Sequence, residues 1–484
     1  MHTNVSLRHV WVLGLLAVST WVVTGCKKAD DAVTPEPDPT LVQNGLVNNW
    51  ILDNMRDLYY WNDKIPASPD TTLAPADFFD SILYKYDATL RPDGDRFSWI
   101  EDDSQSLEAE LSGQTKTTGM EFTLYLRSAG SDAVIAQVLY VLPNSPAAKA
   151  GIVRGDIISK VNGTALNKTN YYSLLFQQTS FTFGLAKVSN GTLADTDDTR
   201  SVTAETFQED PVFLDSVYTV NGRKVGYLMY NLFTQAPYGS SGTQYDNEVD
   251  AVFASFKAQG VTELILDLRY NGGGDERSAI NLASLIGKNV DNTKEFFHEE
   301  YNSQVTQYLK SQYGSSVFVN NFANKAQSIG ASLNRVFVLT TDWTASASEL
   351  IINGLKPYMS VITIGTATYG KNVGSTTISD DTGKIKWGLQ PIIVKAYNSL
   401  GQSDYTGGFA PTVEIEEPIV LKPLGDINED LLSTALQQIS GTGSGRFGIR
   451  DNNPLTVIGS SVQRKAGGSN FFVHLKSLPV KSRQ

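Results

Sequence analysis

Sulfur and imidazole are scarce in this chain. It has one cysteine, Cys26, and four histidines: His2, His9, His298 and His474. A lone cysteine forms no disulfide within the chain, and it cannot build a zinc–thiolate cluster. No HExxH or related ligand spacing occurs, so no metal site is expected. With so few imidazoles, a serine nucleophile has little choice of histidine as its base. Positive charge is also short. Lys and Arg number 39 against 51 Asp and Glu, for a net charge of −12. Such a balance lacks the basic face that nucleic acid requires, and no nucleic-acid partner is expected. The apolar run at residues 10–23 is too short and too near the start for an ordinary membrane-spanning helix.

What remains is the composition of a globular protein, 41% hydrophobic and 19% charged, long enough for two or three domains. The apolar run ends in Val23-Thr24-Gly25-Cys26. Small residues before a cysteine resemble the lipobox of a bacterial lipoprotein. That resemblance implies a signal peptide at 1–25 and a lipid on Cys26. It also implies a cell-envelope protein anchored to a membrane, facing the periplasm or the cell surface. Residues 26–41, charged and proline-rich, read as a flexible tether. Residues 42–110 read as a small helical domain, with Leu46, Trp50, Ile51, Met55 and Leu58 at helical spacing.

Strand patterns replace helical ones from residue 118. Residues 119–126 (GMEFTLYL) and 134–141 (VIAQVLYV) are both extended in character. The following run, 143–163, is PNSPAAKAGIVRGDIISKVNG, and its closing Asn-Gly is a hairpin signal. This run resembles a bacterial PDZ domain, assigned to residues 111–205. The resemblance implies a groove between a strand and a helix at 169–176 that takes an extended peptide by strand addition. Gly119, Met120, Glu121 and Phe122 would bind the peptide's C-terminal carboxylate. The implied partners are proteins or peptides with accessible C-terminal tails. Residues 190–200 read as a polar loop.

Residues 206–440 carry the alternation of an α/β core. VGYLMY (225–230), ELILDLR (263–269), RVFVLT (335–340) and VITIGT (361–366) read as buried strands. The loop YNGGG at 270–274 precedes a helix, but it carries neither GxxxxGK[ST] nor GxGxxG, so no nucleotide or other cofactor is expected. Residues 291–334 read as a loop-rich insertion. Residues 441–484 are polar, weakly patterned and without an assigned role. The whole is α/β and α+β multidomain.

Residues 341–353 (TDWTASASELIIN) lie between a strand and a helix, with Ser346 and Ser348 at the turn. Either serine suits a helix cap. Unpaired amides at a helix start also favour a developing negative charge. Lys371 follows Ser346 by 25 positions, and each sits just past a strand. If those strands are parallel neighbours, both residues reach one sheet edge. A desolvated lysine can then serve as a general base.

LILDLRYNGGG, TASASE and TYGKNVGS, in that order, resemble the motifs of peptidase family S41, the C-terminal processing proteases. The resemblance spans about residues 42–418. It implies a serine endopeptidase with Ser346 as nucleophile, Lys371 as base and Ser348 as a structural neighbour. Glu349 matches the acidic residue that orders some sites of the family. The backbone N–H groups of Ala347 and of Gly273 or Gly274 would form the oxyanion hole. Many members carry glutamine four residues after the lysine. Here that position is Ser375, a shorter third member of the set. The competing reading is a peptide-binding lipoprotein scaffold that keeps the PDZ groove without catalysis.

Overall fold

A computed structural model describes residues 39–189, 191–442, 455–464 and 470–474. Cys26 and the expected signal and tether lie outside the described residues, save the last three tether positions. Those open the first helix, Pro39–Leu58. Val47, Ile51, Met55 and Leu58 form its buried stripe and meet Phe78, Phe79 and Ile82 of the helix Pro75–Ile82. Among the described residues no helix is long and apolar enough to cross a membrane.

The core is a six-stranded sheet in the order Val212–Val220, Arg223–Tyr230, Glu263–Asp267, Arg335–Thr340, Ser360–Gly365, Val413–Glu414. The first pair is antiparallel and the rest are parallel. Both faces are covered, which accounts for the near-continuous apolar runs. Leu264, Leu266, Val336 and Val338 pack on one face with helices Gln244–Ala258, Glu276–Ile286 and Ala347–Leu355. Ile265, Phe337 and Leu339 pack on the other with Leu431, Leu432 and Ala435 of Asp430–Ser440. Strands Arg335–Thr340 and Ser360–Gly365 are parallel neighbours, in register from Arg335 opposite Ser360 to Thr340 opposite Gly365.

A second sheet runs Gly273–Asp275, Asn470–Phe472, Val373–Ser375, Ile392–Asn398, Glu295–Tyr301, Val319–Asn321. Residues 291–334, expected as a loop-rich insertion, thus contribute two strands and the helix Ser303–Tyr313. Their alternation is masked because Glu299 and Glu300 interrupt an otherwise aromatic strand. The tail without an assigned role supplies a strand inside this sheet.

The PDZ sheet contains Met120–Leu126, Val134–Val141, Ile157–Val161, Ser180–Ser189 and Thr192–Thr203. Residues 192–200, expected as polar loop, belong to the last of these, a hairpin partner of Ser180–Ser189. It is an edge strand, mostly solvent-facing, so its acidic side chains cost nothing and discourage pairing with another chain. The groove helix is shorter than expected, Tyr171–Phe176.

Candidate active site

The turn after strand Arg335–Thr340 is knotted by two threonines. Thr341 N–H donates to Thr344 Oγ1 at 2.9 Å, and Thr344 N–H to the Thr341 carbonyl at 3.0 Å. Their hydroxyls reach across to the glycine-loop strand. Thr341 Oγ1 donates to the Arg269 carbonyl, and Thr344 Oγ1 to that of Leu268 at 2.8 Å. Ala345 N–H donates to the Asn271 carbonyl at 3.2 Å. The turn and the glycine loop are therefore one rigid unit.

Ser346 emerges from this turn with φ 63° and ψ −112°. A non-glycine residue there is strained, a condition held only where the surroundings over-determine it. The helix Ala347–Leu355 starts at the next residue. Ser346 occupies the N-cap position of a capping box with Glu349, its side chain turned toward the Glu349 amide, but its Oγ is buried and makes no full hydrogen bond among the described residues. Its backbone N–H donates to Glu349 Oε2 at 2.9 Å. Ser348 instead donates its hydroxyl to the Asn271 carbonyl at 3.0 Å, tying the helix to the glycine loop. The two serines thus separate into a constrained, unengaged hydroxyl and a structural one.

Glu349 is fully buried and joins the two loops. Oε2 takes the N–H groups of Ser346 and, at 2.8 Å, Lys371. Oε1 takes Thr368 Oγ1 at 2.6 Å and Gly370 N–H at 2.7 Å. Burial pushes its carboxyl above the ordinary range, against these donors, which pull it down. Glu349 is a positioning residue, since its oxygens are spent on backbone and Thr368.

Lys371 is buried, and burial brings its amine down to about 7. Asp95 and Glu349 oppose that shift, and Arg96 adds to it. Its Nζ lies 5.0 Å from the centroid of the Phe97 ring. The same N-terminal stretch clamps the lysine loop, with Arg96 Nη2 donating to the Gly370 carbonyl at 2.5 Å and to that of Thr406 at 3.1 Å. The run DRFS at 95–98 is the part of this site that sequence reasoning missed. Its signal, two opposite charges among aromatics, is also that of ordinary surface. Arg96→Gln removes a positive neighbour, so the Lys371 amine should titrate at higher pH. The acid limb of a pH–rate profile is expected to move upward, and an unmoved limb would remove Arg96 from this role.

Three expected site residues need correction. The Gly273 N–H is taken by the Asn271 side chain at 2.8 Å, an Asx turn that satisfies it inside the loop. Of the two glycines, Gly274 remains a candidate oxyanion donor. Its φ is 133°, and a Cβ there would fall 2.0 Å from the Phe233 carbonyl oxygen, so only glycine fits. Ala347, the other candidate, opens its helix, where amides have no intrahelical acceptor. Ser375 is the second correction. Its hydroxyl receives Gln390 Nε2 at 3.0 Å and donates to the Phe471 carbonyl at 3.3 Å, so it seats the tail strand.

In the PDZ domain, Met120, Glu121 and Phe122 line a cavity of about 260 Å³ with Leu175, Phe176 and Phe181. Gly119 does not line it. Its N–H bonds Thr117 Oγ1 at 2.9 Å, and its carbonyl accepts Leu142 N–H at 2.7 Å.

The fold and this geometry define an S41-type peptidase core joined to a PDZ domain, and comparison with known proteins agrees. Residues 224–415 match Peptidase family S41, 47–99 the Peptidase S41 N-terminal domain and 137–183 the PDZ domain. Residues 224–415 are therefore a peptidase family S41 domain. It is 25% identical over 288 residues to the carboxy-terminal processing protease CtpA of Bacillus subtilis, covering 58% of this chain and 54% of that protein. It is 25% identical to the chloroplastic C-terminal processing peptidase of Tetradesmus obliquus, covering 69% and 68%. The matched region thus spans 54% and 68% of these two relatives' length. A Bacteroides fragilis crystal structure assigned to the S41 proteases superposes with a TM-score of 0.67 at 29% identity, covering 82% of this chain and 98% of that one.

Proposed function

We propose that this chain is a serine endopeptidase that cleaves protein substrates with a Ser346–Lys371 pair. The observation that carries the reading is one carboxylate, Glu349, accepting the backbone amides of both residues. It locks an unengaged serine hydroxyl and a neutral-range amine into one unit. Ser346 Oγ attacks the scissile carbonyl and Lys371 Nζ takes its proton. The N–H groups of Ala347 and Gly274 are assigned to the developing oxyanion, an interaction worth about 3–4 kcal/mol per donor in related chemistry. Protonated Lys371 then gives its proton to the leaving amine; water, deprotonated by Lys371 Nζ, attacks the acyl-enzyme, and the proton returns to Ser346 Oγ as the acyl group leaves. No cofactor enters any step.

Substrates with accessible C-terminal tails enter through the PDZ groove, and a lipid on Cys26 holds the enzyme to a membrane of the bacterial envelope. Ser346→Ala is the direct test. Cleavage of a denatured protein should fall on the order of 10³-fold or more, with the melting temperature of the parent. Undiminished cleavage by that variant would remove Ser346 from the mechanism.

A further inference from the structure

The chain's own tail adds a strand to the PDZ sheet. Val457–Ser460 runs antiparallel to Met120–Leu126, with Val457 opposite Tyr125, Gly459 opposite Leu124 and Ser460 opposite Thr123. Leu126 N–H donates to the Thr456 carbonyl and Ser461 N–H to the Phe122 carbonyl, both at 2.9 Å. Phe122 N–H donates to Ser461 Oγ at 2.8 Å, and that hydroxyl donates to the Glu121 carboxylate.

Each of these contacts falls where a peptide added to this edge would make it. The direction is antiparallel, and the chain runs toward the Gly119–Phe122 end of the strand. Ile458 packs against the PDZ core cluster that holds Phe122 and Leu175. Ser461 lines the groove cavity and places an oxygen on the Phe122 amide, one of those expected to meet a substrate's terminal carboxylate.

The tail is held very differently at its two ends. At the core sheet, Phe471 and Val473 are each 2% exposed. Phe471 sits against Phe297, and Val473 N–H donates to the Ser375 carbonyl at 2.9 Å. At the PDZ edge, Val457 is 57% exposed, Thr456 is exposed and Ile458 is only partly covered; Ser460 is buried, and the fully buried apolar anchor comes only after the segment, at Val462. Edge hydrogen bonds that water can replace contribute far less than sealed apolar contacts.

We infer that residues 456–461 are a resident intrachain ligand of the PDZ groove. An extended substrate segment competes with them for the Met120–Leu126 edge, and they leave that edge while residues 470–473 stay seated. This rests on the reading that the groove recruits substrate, but its test does not require cleavage.

The full chain carrying Ser346→Ala is compared with the same chain carrying in addition Ser461→Asp, which sets a second carboxylate against Glu121, or Ile458→Asp, which removes the apolar anchor. Amide exchange at Phe122 and Leu126 should quicken tenfold or more in both, while strand Arg335–Thr340 keeps its protection. A synthetic peptide of the sequence of residues 455–462 should bind both variants at least tenfold more tightly than the parent. Unchanged protection at Phe122 and Leu126 overturns the inference, as does exposure of that edge without a gain in peptide binding. Lost protection in Arg335–Thr340 would also overturn it, because the segment would then be part of the fold. If peptide binding rises as expected but the wild-type chain cleaves nothing, the tail inference stands and the peptidase reading fails.

Discussion

Lys371→Met is expected to abolish turnover and yet to melt at a higher temperature than the parent. The two effects share one cause. The site brings the amine down to about 7 chiefly by burial, so the folded protein disfavours the charged form that the unfolded chain prefers at neutral pH. That preference costs stability at every pH below the lysine's ordinary range, and most where the buried amine is fully protonated. Methionine fills the same space without the charge, so the cost disappears. The catalytic loss should be on the order of 10³-fold or more, since the base is gone. In the parent, kcat/KM should rise through about pH 7 and level off above it, because only the neutral amine accepts the serine proton. Calorimetry beside a pH–rate profile checks both halves. A Lys371→Met protein that keeps its activity, or a parent profile flat from pH 5 to 9, would refute the role.

Arg269→Met should have the largest effect on stability of any single change here, about 3–5 kcal/mol by the usual cost of breaking a buried ion pair. Arg269 is fully buried, with Asp267, Glu417 and Glu429 around its guanidinium. Removing it leaves three carboxylates without their central cation. Arg154 of the PDZ domain shares this cluster, donating to Glu417 at 2.6 Å and to the Tyr270 hydroxyl at 2.6 Å. Burial alone would raise the Glu417 carboxyl, but the Arg154 and Arg269 guanidiniums bring it to about 2. Its folded value lies below its unfolded one, so its contribution is complete above about pH 4.5 and fades as pH falls toward 2. From that difference Glu417 contributes on the order of 3 kcal/mol at neutral pH. Urea titrations at pH 7 and pH 3 should therefore differ more for the parent than for Arg269→Met. Equal differences would show that the cluster does not titrate as a unit.

Much of this fold is legible in the chain because burial on both faces writes itself as apolar runs. RVFVLT and VITIGT announce two interior strands, and their parallel pairing brings the turns bearing Ser346 and Lys371 to one edge. The runs that escaped notice lack an apolar face or have distant partners. Residues 192–203 are too polar to read as a strand, because an edge strand needs no apolar face. Residues 457–460 and 470–472 are short, and only the strands they join, hundreds of positions earlier, give them a shape.

The sequence by itself determined the domain order, the buried strands of the core and the residue types at the two turns, since local periodicity and motif spacing carry that information. Tertiary structure alone decided how those residues are used. It left the Ser346 hydroxyl unengaged and gave that of Ser348 to a backbone carbonyl. It spent the Gly273 amide on Asn271, assigned Ser375 to the tail, and brought Arg96 and Phe97 from a separate domain against Lys371. Each outcome depends on which donor reaches which acceptor across a packed interface, and no local pattern encodes a partner that folding alone brings near.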